Sequence, residues 1–185
     1  MRKYVLRAKV RIEPLRDRFL SIGPPLPLYT LDYARDAIGF GLGECSLWIE
    51  ATQRANNEER EREFRLREIR NGWPRVPAGS EGDFLPPALG LEHLGAVSFE
   101  KGCYPGQEIA ARLHYRGGHK RRLAHVFSPS VVRAGEPLRA DTRDIVLQSV
   151  EAQDGWHALA VIDEISADES IDLRAELRVI HRFES

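Results

Sequence analysis

Apolar and polar positions along the chain change their spacing several times, and each spacing predicts a different element. Between residues 56 and 71, five glutamates and five arginines surround a small apolar minority, and glutamates repeatedly precede arginines by four positions. This pattern predicts a solvent-exposed helix with a narrow buried edge. Residues 109–115 are compatible with a second helix, and apolar residues at helical spacing over 31–39 predict a third.

Strand-like runs dominate the chain from Lys120 onward. They are separated by turn signals such as Asp154-Gly155, and they cover residues 123–127, 145–150, 156–165 and 173–183. Four short strands in so few residues predict a small antiparallel sheet or barrel. A further short strand is predicted at residues 45–51, where Cys45 is expected to be a packed residue.

Composition narrows the class of protein. The 185 residues include 42% hydrophobic and 30% charged residues with a formal net charge of −1, which excludes a chain disordered throughout and a histone-like protein. Two cysteines cannot supply the four thiolates of an iron–sulfur cluster, and no metal site is expected. No apolar run approaches the ~20 residues of a membrane span, and the first residues lack the pattern of a signal peptide. We therefore expect a cytoplasmic protein without a membrane partner.

Charge is unevenly distributed along this nearly neutral chain. Residues 101–122 hold six lysines and arginines against one acid, Glu108. The basic segment 112–125 predicts either contact with a nucleic acid or a solvated junction between domains. Its three histidines, His114, His119 and His125, lack the spacing of metal ligands and are interpreted as surface or loop residues.

The segment from Ser98 to Glu108 is the least ordinary part of the sequence. Gly102 and Gly106 flank a Cys-Tyr-Pro turn, and helix-compatible residues follow. A helix N-terminus next to the turn, with Lys101 and Arg112 nearby, is expected to lower the pKa of the Cys103 thiol and make it reactive. The alternative is that Cys103 is a small buried residue, which is the commonest state of a free cysteine.

These residues carry a specific family resemblance. Residues 101–108, K-G-C-Y-P-G-Q-E, resemble the signature of the YgfZ family of folate-binding proteins, which are related to the T protein of the glycine cleavage system, an aminomethyltransferase. Four further segments are similar to the family pattern: F-L-P at 84–86, A-R at 111–112, K-R-R-L at 120–123 and I-R-N-G-W-P at 69–74.

The resemblance implies a fold and a division into domains. We expect an α+β protein in which residues 1–118 form a partial folate-binding α/β region that contains the signature. Residues 119–185 would then form a small C-terminal antiparallel β-barrel. Family members normally have roughly a hundred more residues before the position of Tyr4, so the resemblance also implies that most of a first domain is missing.

The resemblance further implies a function and a set of site residues. Family members bind tetrahydrofolate and support the assembly or repair of iron–sulfur enzymes, including enzymes that modify tRNA. Carried over residue by residue, Cys103 is the reactive thiol, and the expected folate-binding residues are Lys101, Tyr104, Gln107, Glu108 and Arg112. The expected partners are folate and, transiently, iron–sulfur enzymes.

Two alternatives to a non-catalytic accessory role remain open from the sequence. One is a tetrahydrofolate-dependent one-carbon transferase or demethylase, although the catalytic acid of the T protein lies in the region that this chain lacks. At the position nearest to a folate-contacting arginine of the T protein, the chain has Glu68 instead. The other alternative is an RNA-binding module that uses residues 112–125.

Overall fold

The computed structural model describes nine parts of the chain: residues 17–34, 36–51, 57–80, 82–100, 102, 106–116, 120–138, 142–163 and 177–183. The chain divides into two compact units, Met1–Arg60 and Glu61–Ser185. These two units meet after Arg60, whereas the sequence predicts a domain boundary between residues 118 and 119. The predicted boundary stays a prediction. Each unit is described by itself below.

The first unit contains a four-stranded antiparallel sheet. Its strands are β1 (Phe19–Gly23), β2 (Leu31–Ala34), β3 (Ala37–Gly41) and β4 (Ser46–Glu50), and their spatial order is β1-β4-β3-β2. Cys45 is 4% exposed and immediately precedes β4, so its prediction as a packed residue is confirmed.

The helix predicted over residues 31–39 is wrong, because this segment forms the β2–β3 hairpin. Tyr33 pairs with Ile38 and Leu31 pairs with Phe40 across the two strands. Gly39 lies against the ring of Trp48, where an added Cβ atom would come within 2.7 Å of the indole. Close packing between neighbouring strands therefore decides the structure here, and the helical spacing of the apolar residues is coincidental.

The second unit contains two α-helices, a short 3-10 helix and a second sheet among its described residues. Helix α1 spans Glu58–Arg70, and its first three residues belong to the first unit; the 3-10 helix spans Pro86–Leu89 and α2 spans Gln107–Arg116. The strands are β5 (Arg121–Ser128), β6 (Ile145–Ala152), β7 (Gly155–Asp163) and β8 (Arg178–Phe183). Both predicted helices and the strands predicted at 123–127, 145–150 and 156–165 are confirmed, within a few residues at their ends. The strand predicted at 173–183 is confirmed over Arg178–Phe183, and its residues 173–176 lie outside the described residues.

The second sheet is antiparallel, with the order β6-β7-β5-β8, and both of its faces are covered. One face packs Leu123, Leu159 and Phe183 against Ile69 of α1 and Ala88 of the 3-10 helix. The other face buries Ala124, Val126, Ala160 and Ile162, among others. The α+β class is confirmed. Among the described residues, β6 and β8 are edge strands that do not pair with each other, so closure into a barrel stays a prediction.

Helix α1 contacts the core through a narrow stripe, as its sequence predicts. Phe64 and Ile69 are buried, whereas most of its charged residues are exposed, and Glu61 accepts a hydrogen bond from Arg65 at 2.5 Å. Such an exposed pair contributes only a few tenths of a kcal/mol. Burial of the apolar stripe therefore fixes the position of α1, and the charges keep its outer face in water.

Candidate functional site

Helix α2 begins where the signature loop ends. Gly106 has a φ of +84°, a conformation that glycine adopts readily, and the helix starts at the next residue. Gln107 is half-buried, while Glu108 and Arg112 are exposed. The predicted site residues Lys101, Cys103 and Tyr104 lie outside the described residues. The structure therefore describes the helical half of the predicted site, and the loop half stays a prediction.

An aromatic cluster holds α2 against the segment that precedes the signature. The rings of Phe99 and His114 are stacked, with centroids 4.2 Å apart and planes inclined by 23°. Nδ1 of His114 lies 3.2 Å from Oε2 of Glu92, which accepts its hydrogen bond when that nitrogen is protonated. Tyr115 meets both rings edge-on, at 4.9 Å from His114 and 6.1 Å from Phe99. These contacts join residues on both sides of the signature loop.

A second feature of this unit is a cavity that the sequence analysis did not predict. It has a volume of about 540 Å³ and lies beside α1. Its lining residues include Arg65, Glu68, Arg75, Arg133, Gln148 and Trp156. None of the predicted site residues that the structure describes lines this cavity, so it is a separate feature of the molecule.

Glu68 is the buried charged group of that cavity. Its Oε1 accepts hydrogen bonds from Nε and Nη2 of Arg75 at 2.9 and 2.7 Å, and its Oε2 has no hydrogen-bond partner among the described residues. Burial raises the pKa of the Glu68 carboxyl group above its ordinary value, and the hydrogen bond and charge of Arg75 oppose that shift. The positive charge and hydrogen bonds of Arg75 thus offset part of the cost of burying the Glu68 carboxylate.

The structure corrects the interpretation of His125 as a surface or loop residue. His125 lies in β5 and is 4% exposed, and its Nε2 is 2.8 Å from Nδ1 of His157, which is 5% exposed. Nε2 of His157 lies 3.1 Å from the carboxylate of the exposed residue Asp154. Because a carboxylate only accepts, Nε2 of neutral His157 carries the proton and its Nδ1 accepts from His125. Burial first, and then the neighbouring positive groups, lower the pKa of His125 to about 4.

This histidine chain is a structural element of the core. It connects an exposed carboxylate to the sheet interior, and the ring of His157 packs against Phe127, with centroids 5.5 Å apart. His125, Asp154 and His157 are spread over residues 125–157 of the sequence, so no local pattern connects them. The available signal was the position of His125 inside an apolar strand pattern, which favours burial.

Among the described residues, Arg112 is the predicted site residue whose charge suits an anionic cofactor. Arg112 is exposed and makes no ion pair with another described residue, so its chemistry suits a carboxylate of folate. No group of three or more histidine, cysteine or acidic side chains within the described part of the structure is arranged to hold a metal ion. Nor does it contain a helix long and apolar enough to span a membrane.

The fold and the helical half of the site define an α+β protein in which helix α2 begins directly after Gly106, the second glycine of the cysteine-containing signature. No family model matches the chain. Curated relatives do: proteins named tRNA-modifying protein YgfZ, from Escherichia fergusonii, Escherichia coli and Shigella boydii, are each 34% identical to it over 124 residues. Together with the signature, this similarity confirms the resemblance to the YgfZ family.

The similarity covers only part of this chain and part of each relative. The aligned region covers 61% of this chain and 38% of each of these relatives. The chain thus spans well under half the length of the curated relatives that it matches. The printed names assign tRNA modification to those relatives, and for this chain that role is taken up below as a proposal.

Proposed function

We propose that this protein is a folate-binding accessory factor of YgfZ type, which supports tRNA-modifying iron–sulfur enzymes. The observation that carries the proposal is the eight-residue signature at 101–108 in a chain whose curated relatives are named tRNA-modifying proteins. The start of α2 directly after Gly106 supports it, because a helix N-terminus next to the loop favours negative charge there.

Within this proposal, each site residue has a chemical role. Lys101 and Arg112 bind the carboxylates of folate, because charge-assisted hydrogen bonds to carboxylates are the strong ones. Tyr104 packs its ring against the aromatic part of the ligand. Gln107 and Glu108, in the first turn of α2, orient the loop. The reduced pterin supplies one-carbon and redox chemistry when bound, and this chain supplies the binding groups and a thiolate.

The role of Cys103 is to make a transient bond with the client enzyme or its cluster. A thiolate donates an electron pair to an iron atom or attacks an electrophile, whereas a protonated thiol does so poorly. The proposal therefore requires that the loop environment keep a fraction of Cys103 ionised near neutral pH. Positive groups within the loop and the α2 N-terminus would provide that environment.

Folate binding is tested by titrating the full chain with tetrahydrofolate and measuring Kd for the wild type and for Lys101→Ala. Loss of a charge-assisted hydrogen bond, worth about 1.5–3 kcal/mol, should raise Kd about 10-fold to 150-fold. Lys120→Ala is the matched control, because Lys120 is exposed and lies beyond α2. Equal and negligible retention of tetrahydrofolate by the wild type and Lys101→Ala would remove folate from the proposal.

Thiol activation is tested by measuring the rate of alkylation of Cys103 as a function of pH. We expect an apparent pKa below the ordinary thiol value of ~8.5. Cys103→Ser provides the background, because the remaining thiol, Cys45, is 4% exposed and should react slowly in the folded protein. A profile centred at or above ~8.5 contradicts the activated thiol without bearing on folate binding.

A further inference from the structure

The outer face of α2 presents aromatic, apolar and positively charged side chains together. This basic-aromatic face is defined by Ile109, Arg112, Tyr115 and Arg116, all of which are exposed. Tyr115 is 71% exposed and Ile109 is 58% exposed. Because residues three and four positions apart are neighbours on a helix, Arg112 lies beside Tyr115 on one side and beside Arg116 on the other.

The rings of Phe99 and His114 both contact the ring of Tyr115. Its neighbour His114 is also exposed, and its ring stacks on Phe99 and approaches Glu92. Tyr115 then meets His114 and Phe99 edge-on, so its ring is braced by two other rings while most of the residue stays exposed. A braced, exposed aromatic ring is a ready platform for another flat ring, since little conformational freedom is lost on stacking.

The charges around this platform select the kind of partner. Arg112 and Arg116 form no ion pair with any other residue that the structure describes, and both are exposed. Lys120, Arg121 and Arg122 follow closely in the sequence, and Glu108 is the acidic residue of α2, in its first turn. A positive surface with an aromatic platform matches a ligand that has both negative charges and flat apolar rings.

We propose that the basic-aromatic face binds single-stranded RNA, with an unpaired base stacked on Tyr115 and a neighbouring phosphate bound by Arg116. The choice of RNA rests on the proposed role in tRNA modification. Tyr115 is neither a folate-binding nor a reactive residue in that proposal, so the two can fail separately. Because every base has a flat ring surface, we expect the protein to select unpaired bases with little sequence preference.

The test measures Kd for a fluorescently labelled single-stranded RNA and for the same strand annealed to its complement, using the full chain. Stacking on an aromatic side chain is worth about 1–3 kcal/mol per base, so Tyr115→Ala should raise Kd for the single strand about 5-fold to 150-fold. Tyr115→Phe keeps the ring and should bind within about twofold of the wild type. The affinity should also fall steeply with salt, because phosphates are bound.

Tyr33→Ala is the matched control, since Tyr33 is 70% exposed in β2 and should not affect RNA binding. Retention of tetrahydrofolate by Tyr115→Ala shows that a loss of RNA affinity is separate from folate binding. Equal RNA affinity of Tyr115→Ala and the wild type, or equal affinity for single and double strands, overturns the proposal. If polyglutamate competes as well as RNA does, the partner is an acidic chain and the assignment to RNA is wrong.

Discussion

Acidification from pH 6.5 to pH 4 is expected to lower the contribution of His125 to the free energy of unfolding of the unit that contains β5–β8 by about 2–3 kcal/mol. The cause is His125, whose pKa lies at about 4 in the folded protein against 6.5 for a free histidine. Burial is the largest cause. The positive charge that His157 carries when protonated adds to it, as do the charges of Arg70 and His181, whereas Asp154 opposes it.

The sign follows from proton binding. Between pH 6.5 and pH 4, the unfolded chain protonates His125 while the folded protein leaves it neutral, so falling pH favours the unfolded state. Above pH 6.5 both states are neutral at this residue and the effect vanishes. The pKa of Asp154 is also lowered, chiefly by its hydrogen bond to His157, but that shift acts below its ordinary value of 3.8 and outside this window.

Urea unfolding at several pH values measures this effect. His125→Gln keeps a donor toward Nδ1 of His157 and cannot be protonated, so its free energy of unfolding should vary less between pH 6.5 and pH 4 than that of the wild type. His93→Gln replaces an exposed histidine of the same unit and should keep the wild-type dependence. If the pH dependence of His125→Gln equals that of the wild type, the buried neutral state of His125 is refuted.

Gly72→Ala is expected to destabilise the same unit by about 2–5 kcal/mol. Gly72 follows α1 with a φ of +66°, a conformation that costs about 1–2 kcal/mol for a residue with a Cβ atom. The added Cβ would also lie 2.7 Å from Cδ1 and Cε1 of Phe183, a ring that is 4% exposed in the core. Moving a packed ring costs about 1–3 kcal/mol more.

Gly95→Ala separates these two causes. Gly95 has nearly the same φ, +65°, but an added Cβ there meets no atom within 4 Å. Urea unfolding should therefore show a loss of only about 1–2 kcal/mol for Gly95→Ala and a distinctly larger loss for Gly72→Ala. Equal losses in the two variants would mean that contact with Phe183 does not determine the need for glycine in the N-G-W-P segment.

The sequence by itself determined the elements whose pattern is local and long. The charged stripe of α1 and the apolar runs of β5–β8 each reflect one repeating geometry, so their periodicity identifies them before any packing is known. The signature at 101–108 likewise indicated the resemblance to the YgfZ family, which the curated relatives confirm, because eight specific residues in order are rarely coincidental. The same reasoning placed the start of α2 beside the signature loop.

Only the tertiary structure decided what depends on contacts between distant residues. The β2–β3 segment has helical spacing, yet it forms a hairpin because Gly39 packs beneath the ring of Trp48. His125 becomes a buried neutral group through His157, which is 32 residues away. The platform of Tyr115 exists because Phe99 and His114 stack across the signature loop. A periodic pattern shows which face of a helix or strand is apolar. The residues that this face contacts depend on the packing of the whole unit.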